Sequence, residues 1–520
     1  MGRKSVTAYT VKVLPLIPKP VKVERLSGEF ILKDGTPLVL PVGADAHGDA
    51  SARIFADKIK ARFGVTLALI AADACVPGED AIILGEAVRS HGLPDESAVG
   101  PVTKEEGYEL TVGSSILIRA WTSLGVHNAL MSLLQLVEGS SSPPKIPAVR
   151  VIDCPRFRWR GMLIDPARNF LSLDVVKRYI DYLSELKLNV LHWHLVDDQG
   201  WRIESKSFPR LHQVGGQNGY YTQDEIRELV AYAQERHVMV VPEIDMPGHT
   251  SALLAAYPYL SCSGKEVPVR KYPGVYSTAL CPAKEEVYEF LDRLFGEIKD
   301  LFPAPYVHIG SDEVRAKDWL NCPPNKKLLA ELGYPEKTGL QRYFVTRVNQ
   351  ILRKYGKTMI GWDEITAYLP EGSVVQAWRR HRYAREAALA GHDAIVSPVS
   401  HCYIDYPLLV TSLKKVYAFE PIPPHLDPRL AQHILGGEIN LWGEWVKPGN
   451  IDRKAFPRLI AHAEVLWSPA AARDWDDFAE RLQVVRAEMQ QRGVEFGKPW
   501  QDPLLILWVG AGKVVSFFME

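Results

Sequence analysis

The strongest constraint on this chain is an alternation of short apolar runs with helix-patterned segments, repeated between Gly161 and Trp442. The runs are Gly161–Ile164, Asn189–Leu195, Val238–Ile244, Tyr306–Ile309, Thr358–Trp362, Val374–Trp378, Ala394–Ser397 and Ile434–Trp442. Each has the length of a strand and is apolar without clear alternation, as strands covered on both faces are. Helical periodicity fills the gaps: Val175, Tyr179, Ile180, Leu183 and Leu186 share one face, as do Leu340, Phe344, Val348 and Leu352. Thr222 with Glu225 three residues later reads as a capping box. Eight strands separated mostly by helices predict an α/β fold, a (β/α)8 TIM barrel rather than an open sheet.

Residues 1–150 are expected to form a separate small α/β domain. Its strand-like runs are Ala81–Leu84, Tyr108–Val112 and Ile116–Ala120, followed by helix-spaced Val126, Leu130, Leu133 and Leu134. Gly139–Lys145, rich in Ser and Pro, reads as a linker. The barrel is then expected over residues 151–500, with a tail at 501–520 to which no role is assigned.

A barrel of this kind carries its chemistry at the C-terminal ends of its strands. Those ends hold Asp165 and Arg168, then Asp197-Asp198-Gln199-Gly200-Trp201, then Asp245-Met-Pro-Gly-His249. Asp312-Glu313 follow, then Trp362-Asp363-Glu364, Trp378-Arg379, Tyr403-Ile-Asp405 and Trp442-Gly-Glu444. Any one of these suits a loop carboxylate or a rim Trp covering the core. Eight together do not. Two adjacent acids at one strand end, Asp312 and Glu313, should have their pKa values pushed apart, so that one donates a proton while the other stays an anion. Carboxylates and Trp around one rim, with no phosphate-cradling loop and no strong metal-ligand set, suit an uncharged polyhydroxylated ligand such as a sugar.

A formal net charge of −1 offers no field to attract nucleic acid or an anionic membrane, so neither is expected as a partner. The apolar stretch Pro503–Phe518 is short and holds Lys513, which argues against a membrane span. Residues 1–20 make a poor signal peptide, because Lys12, Pro15 and Pro18 break the apolar run. The chain is therefore either cytoplasmic or the mature form of an exported protein. Cys75, Cys154, Cys262, Cys281, Cys322 and Cys402 show no CxxC pair and no zinc spacing. Cys262 and Cys281 flank one loop and would be placed to bridge in an exported protein.

The run Arg160-Gly-Met-Leu-Ile-Asp165, with Arg168 and Phe170, resembles the first barrel strand of the family 20 β-N-acetylhexosaminidases. Asn189–Glu204, Pro242–Thr250, His308–Glu313, Leu441–Glu444 and Phe456–Trp467 resemble further motifs of that family, in order. The resemblance implies exo-acting, retaining hydrolysis of terminal β-linked N-acetylhexosamines, in which the substrate's own acetamido oxygen attacks the anomeric carbon. It gives Glu313 the role of general acid/base. Asp312 would orient the acetamido group and remain an anion, raising the pKa of Glu313. Tyr403 would hydrogen-bond the acetamido oxygen, and Asp197 and His249 would form a relay to Glu313. Trp362, Trp378 and Trp442 would wall the pocket, with Arg160 on the 3- and 4-hydroxyls and Asp405 and Glu444 on the 4- and 6-hydroxyls. The partner is then an oligosaccharide, no metal or cofactor is expected, and a homodimer is compatible with the sequence without being required by it. Ser311 departs from the family's second glycine and would be strained if its φ is positive. A metal-dependent barrel hydrolase using His192 and His194 is the competing reading, and a non-catalytic sugar-binding homologue is another.

Overall fold

The computed structural model describes residues 13–40, 46–71, 80–86, 104–334 and 336–498. Cys75 and the 501–520 tail lie outside the described residues. The chain divides into two compact units, changing from one to the other after Arg156, Leu466 and Val494.

The first unit is built on a seven-stranded mixed sheet. Tyr108–Val112 and Ile116–Ala120 pair antiparallel, and Ile82–Glu86 joins the latter in parallel. Burial alternates along Ile116–Ala120, the period of a strand covered on one face. Ser123–Leu136 buries Leu130, Leu133 and Leu134 in one core with Ile82, Leu110 and Ile118. The boundary expected at residue 150 falls inside a strand, Lys145–Asp153, which pairs with both Lys22–Ile31 and Tyr108–Val112. The Ser/Pro-rich segment before it is therefore a turn leading into a strand, closed by a bridge between Glu138 and Lys145, and not a linker.

The helix Trp475–Gln491 also belongs to this unit, although the sequence reading assigned it to the barrel. Its partners come from the far end of the chain. Lys19 Nζ lies 2.9 Å from Asp477, and Arg481 donates to the Leu16 carbonyl at 2.8 Å. Such long-range partners leave no local signature in sequence.

In the second unit eight parallel strands close on themselves. In chain order they are Trp159–Ile164, Val190–Asp197, Met239–Ile244, Tyr306–His308, Thr358–Trp362, Val374–Ala377, Ala394–Val396 and Ile434–Leu441. Each pairs with the next, and the eighth pairs with the first. The second and eighth are buried along their whole length, so both faces of each are covered. The expected capping box is present, with Thr222 accepting from the Glu225 N–H and Glu225 accepting from the Thr222 N–H.

Side chains fill the barrel in layers. Near the strand starts, Trp159, Val190, Val241, Ile360, Val374, Ile395 and Leu435 pack as an apolar floor. Two residues further along, the same inward-facing positions carry His192, Glu243, Trp362 and Gln376, all buried. The floor is dry and the next layer is polar, so the barrel becomes a platform for charged groups at its C-terminal rim.

Asp153 fixes the first unit's core: it accepts from Tyr108 at 2.7 Å and from the Trp467 indole at 2.9 Å, all three buried. Asp153→Ala would remove both bonds, leaving Tyr108 its 2.6 Å contact with the Ser132 hydroxyl, and should lower stability by about 2–4 kcal/mol. Denaturant unfolding of the variant checks this; a loss under about 0.5 kcal/mol would show that neither bond matters.

Candidate active site

The fourth strand ends at His308 and delivers Gly310, Ser311, Asp312 and Glu313 in a tightly wound turn. Gly310 has φ +63°, and a Cβ there would lie 1.9 Å from Asp245 Oδ1. Only glycine fits. Ser311 has φ +74° and Glu313 +49°, and His249 on the neighbouring strand's loop has +52°. The strain expected at Ser311 is thus real, and it sits beside two more left-handed residues, a concentration typical of functional loops. Gln341 holds Ser311 by donating to its carbonyl at 2.7 Å and its hydroxyl at 3.2 Å.

Behind the acid pair runs a chain of buried charges. Arg168 reaches Asp165 at 3.0 Å and Asp197 at 2.6 Å. His194 lies 3.0 Å from the same Asp197 oxygen. His249 Nδ1 is 3.4 Å from both Asp197 and Asp198, while its Nε2 is 3.5 Å from Glu313 and 3.9 Å from Asp312. Burial opposes ionisation of Asp197, but Arg168 and His249 beside it hold its carboxyl well below the usual range. Against the same burial, Asp197 holds His249 in its charged form.

The acid pair is split, in the opposite sense to expectation. Burial pushes Asp312 up to about 7, whereas the His249 ring 3.5 Å away lowers Glu313 below its ordinary value. The cause is geometric: the imidazolium lies nearer Glu313, which is partly exposed, and Asp312 is the more enclosed. In the ligand-free site Asp312 is therefore the acid that holds a proton more readily.

Four aromatic rings lie together at this rim. Trp362 and Trp442 have ring centroids 5.8 Å apart, Tyr403 and Trp442 6.2 Å, and Trp378 stacks on Tyr403 at 6.3 Å. Asp405 is buried and pushed up to about 8, by that burial and then by Glu444. Burial likewise raises Glu444, with Arg168 opposing at 3.9 Å. Asp312 Oδ1, Asp405 Oδ1 and Trp442 Nε1 are buried without a protein partner, a need that a polar ligand would meet.

Arg160 is not part of this arrangement. It is the second residue of its strand and lies at the floor end of the barrel, donating to the carbonyls of Lys187 at 2.8 Å and Phe157 at 2.6 Å. The cation at the rim is Arg168, after the strand's end. Sequence reasoning noted Arg168 but gave it no role, although its position at the strand terminus was the available signal. Glu364 was missed in the same way; it accepts from the Trp378 indole at 3.2 Å and raises Asp312 electrostatically.

His192 and His194 are paired with buried carboxylates. The nitrogens of His192 face Glu438 at 2.7 Å and Glu243 at 3.1 Å. Against burial, these carboxylates raise His192 to about 9, and Glu243 also raises His194 above its ordinary value. Cys262 and Cys281 are not bridged, and the described residues contain no disulfide.

Residues 157–470 match the profile described as "Glycosyl hydrolase family 20, catalytic domain", and residues 13–154 match "Glycosyl hydrolase family 20, domain 2". A β-hexosaminidase of Porphyromonas gingivalis is 34% identical over 94% of this chain and 65% of its own length, so the chain spans less than two thirds of that relative. Among solved structures, Flavobacterium johnsoniae chitobiase superposes with a TM-score of 0.83 at 32% identity, covering 95% of this chain and 75% of that one. A Vibrio harveyi exo-β-N-acetylglucosaminidase in complex with N-acetylglucosamine gives 0.82 at 31% identity, covering 96% and 80%. With one profile matching the barrel and the other the unit before it, the chain belongs to glycosyl hydrolase family 20, a family of glycosidases.

Proposed function

We propose that the protein removes terminal β-linked N-acetylglucosamine or N-acetylgalactosamine from chain ends, with retention, using the substrate's 2-acetamido group as nucleophile. The observation that carries this reading is the turn holding Asp312 and Glu313 side by side, with one charged imidazole serving both. In the proposed cycle Glu313 protonates the leaving oxygen and later deprotonates water. Asp312 accepts the acetamido N–H and, as an anion, stabilises the positive charge that builds on that nitrogen as its carbonyl oxygen attacks.

The inverted ionisation of the free site fits this cycle. An N–H donor at Asp312 favours its anion, and closing the site around a sugar removes water from Glu313, which favours the neutral acid. His249 Nε2 faces both Asp312 and Glu313 and can relay a proton from the first to the second without a net change of charge in the buried cluster. Tyr403, Trp378 and Trp442 would enclose the acetamido group and the sugar's apolar face. Asp405, Glu444 and Arg168 would engage the ring hydroxyls at the far edge, closing the pocket and restricting attack to chain ends. The Vibrio relative described as exo-acting and bound to N-acetylglucosamine supports this assignment.

The mechanism is tested with chromogenic β-glycosides that differ only at the 2-position. Substrates with the acetamido group should turn over with a β-configured sugar as first product by NMR, and simple β-glucosides should react at background rate. An α-configured product, or comparable turnover without the acetamido group, would overturn it.

The pH profile follows from the split pair. The competent form carries one proton on the pair, so kcat/KM should rise as pH climbs through the lowered pKa of Glu313. It should fall as pH climbs through about 7, where Asp312 loses the last proton. Glu313→Gln should cost roughly 10²–10⁴ in turnover on poor leaving groups, less on activated ones, and should abolish the upper limb. An unchanged upper limb in Glu313→Gln would place the titrating group elsewhere.

A further inference from the structure

We propose that Cys262, Cys281 and Cys322, with Asn325, form a binding site for one thiophilic dication of the zinc class, on the outer side of the loop that carries the acid pair. The three sulfurs all lie within 4.8 Å of one another, although no two of these cysteines have metal-ligand spacing in sequence. Cys281 and Cys322 are 3.9 Å apart. A tetrahedral zinc with bonds of about 2.3 Å to sulfur sets its ligand sulfurs about 3.8 Å apart, whereas a disulfide needs about 2.05 Å. Asn325 Oδ1 is 3.4 Å from Cys281 Sγ, near the roughly 3.6 Å edge that a zinc with one oxygen ligand requires.

Cys322 is the N-cap of the helix Pro323–Leu332, where the helix dipole favours negative charge. Asn325 is fully buried and held in place by donating to the Trp319 carbonyl at 3.2 Å and accepting from the Ala283 N–H at 3.2 Å. Lys284, whose ammonium spans the carbonyls of Tyr259 and Ser261 at 2.7 Å each, adds a positive charge near Cys281. Three thiolates around a dication leave one negative charge, which this lysine offsets.

The position matters to the enzyme. Cys262 and Cys281 bracket the loop in which Arg270 donates its N–H to the Asp198 carbonyl and the Tyr272 carbonyl accepts from Gln199. Val314, next to Glu313, packs with Ala279 and Trp319, and Cys262 packs against the same cluster. An ion here would pin both ends of that loop to the segment behind the acid.

The test uses the full chain, purified under reducing conditions and titrated with zinc and then cadmium. One zinc per chain should bind, and cadmium should displace it with the appearance of a sulfur-to-metal charge-transfer band. Cys322→Ser should weaken binding by about 100-fold. Asn325→Cys, which adds a fourth thiolate and cannot gain affinity by misfolding, should tighten it about tenfold or more. A reduced wild-type chain that stays metal-free in equimolar zinc by native mass spectrometry, or unchanged affinity in both variants, would overturn the proposal. All these readouts are of metal binding, so they stand or fall independently of the proposed hydrolysis.

Discussion

The contact between Arg168 and Asp197, 2.6 Å long and almost entirely out of water, sets the electrostatics of the rim. A carboxylate as enclosed as Asp197 would by burial alone hold its proton, and the guanidinium beside it reverses that preference. Once Asp197 is an anion, His249 stays charged, and the charged ring lowers Glu313. Three residues from three different strand ends are thereby locked in one ionisation pattern. Such a cluster tolerates no partial loss: removing one member of a buried pair costs about 3–5 kcal/mol, because the other is left uncompensated.

The same logic continues downward into the barrel. Glu243 accepts from His194 at 2.5 Å and from the Trp362 indole at 3.0 Å, and lies 3.1 Å from His192 and 3.2 Å from His308. Glu438 answers His192 at 2.7 Å and accepts from the Trp159 indole at 3.0 Å and Gln376 at 2.8 Å. Acids alternate with imidazoles, so the buried charges compensate one another rather than the solvent. The energetic return over an apolar core is small. What the network supplies is orientation: Trp362 and His194 are held from below, and they in turn place the aromatic wall and Asp197.

Much of this was legible in the chain. The eight apolar runs gave strands within one or two residues, because a doubly covered parallel strand writes a continuous apolar pattern. The rim residues followed from the rule that barrel loops after each strand carry the chemistry. Where strand position was ignored the reading failed: Arg160 is the second residue of its strand and Arg168 follows the strand's end, which is the difference between the floor and the rim. Helix Trp475–Gln491 could not be placed, since its partners at Leu16 and Lys19 are remote in sequence. The order of the two acids was also beyond sequence, being decided by the deeper burial of Asp312 and by the nearer approach of one imidazole to Glu313. The cysteine cluster is the same kind of fact, created by two loops meeting rather than by spacing.

The central claim is that Asp197 keeps His249 charged and that the charged ring relays the proton of the acid pair to Glu313. It is tested most directly by following the His249 ring nitrogens by NMR across neutral pH in the native chain and in Asp197→Asn. The account predicts a ring protonated on both nitrogens through neutrality in the native protein. In the variant the ring should become neutral, with slower cleavage of poor leaving groups and little change for activated ones. A His249 that titrates identically in both proteins would contradict it.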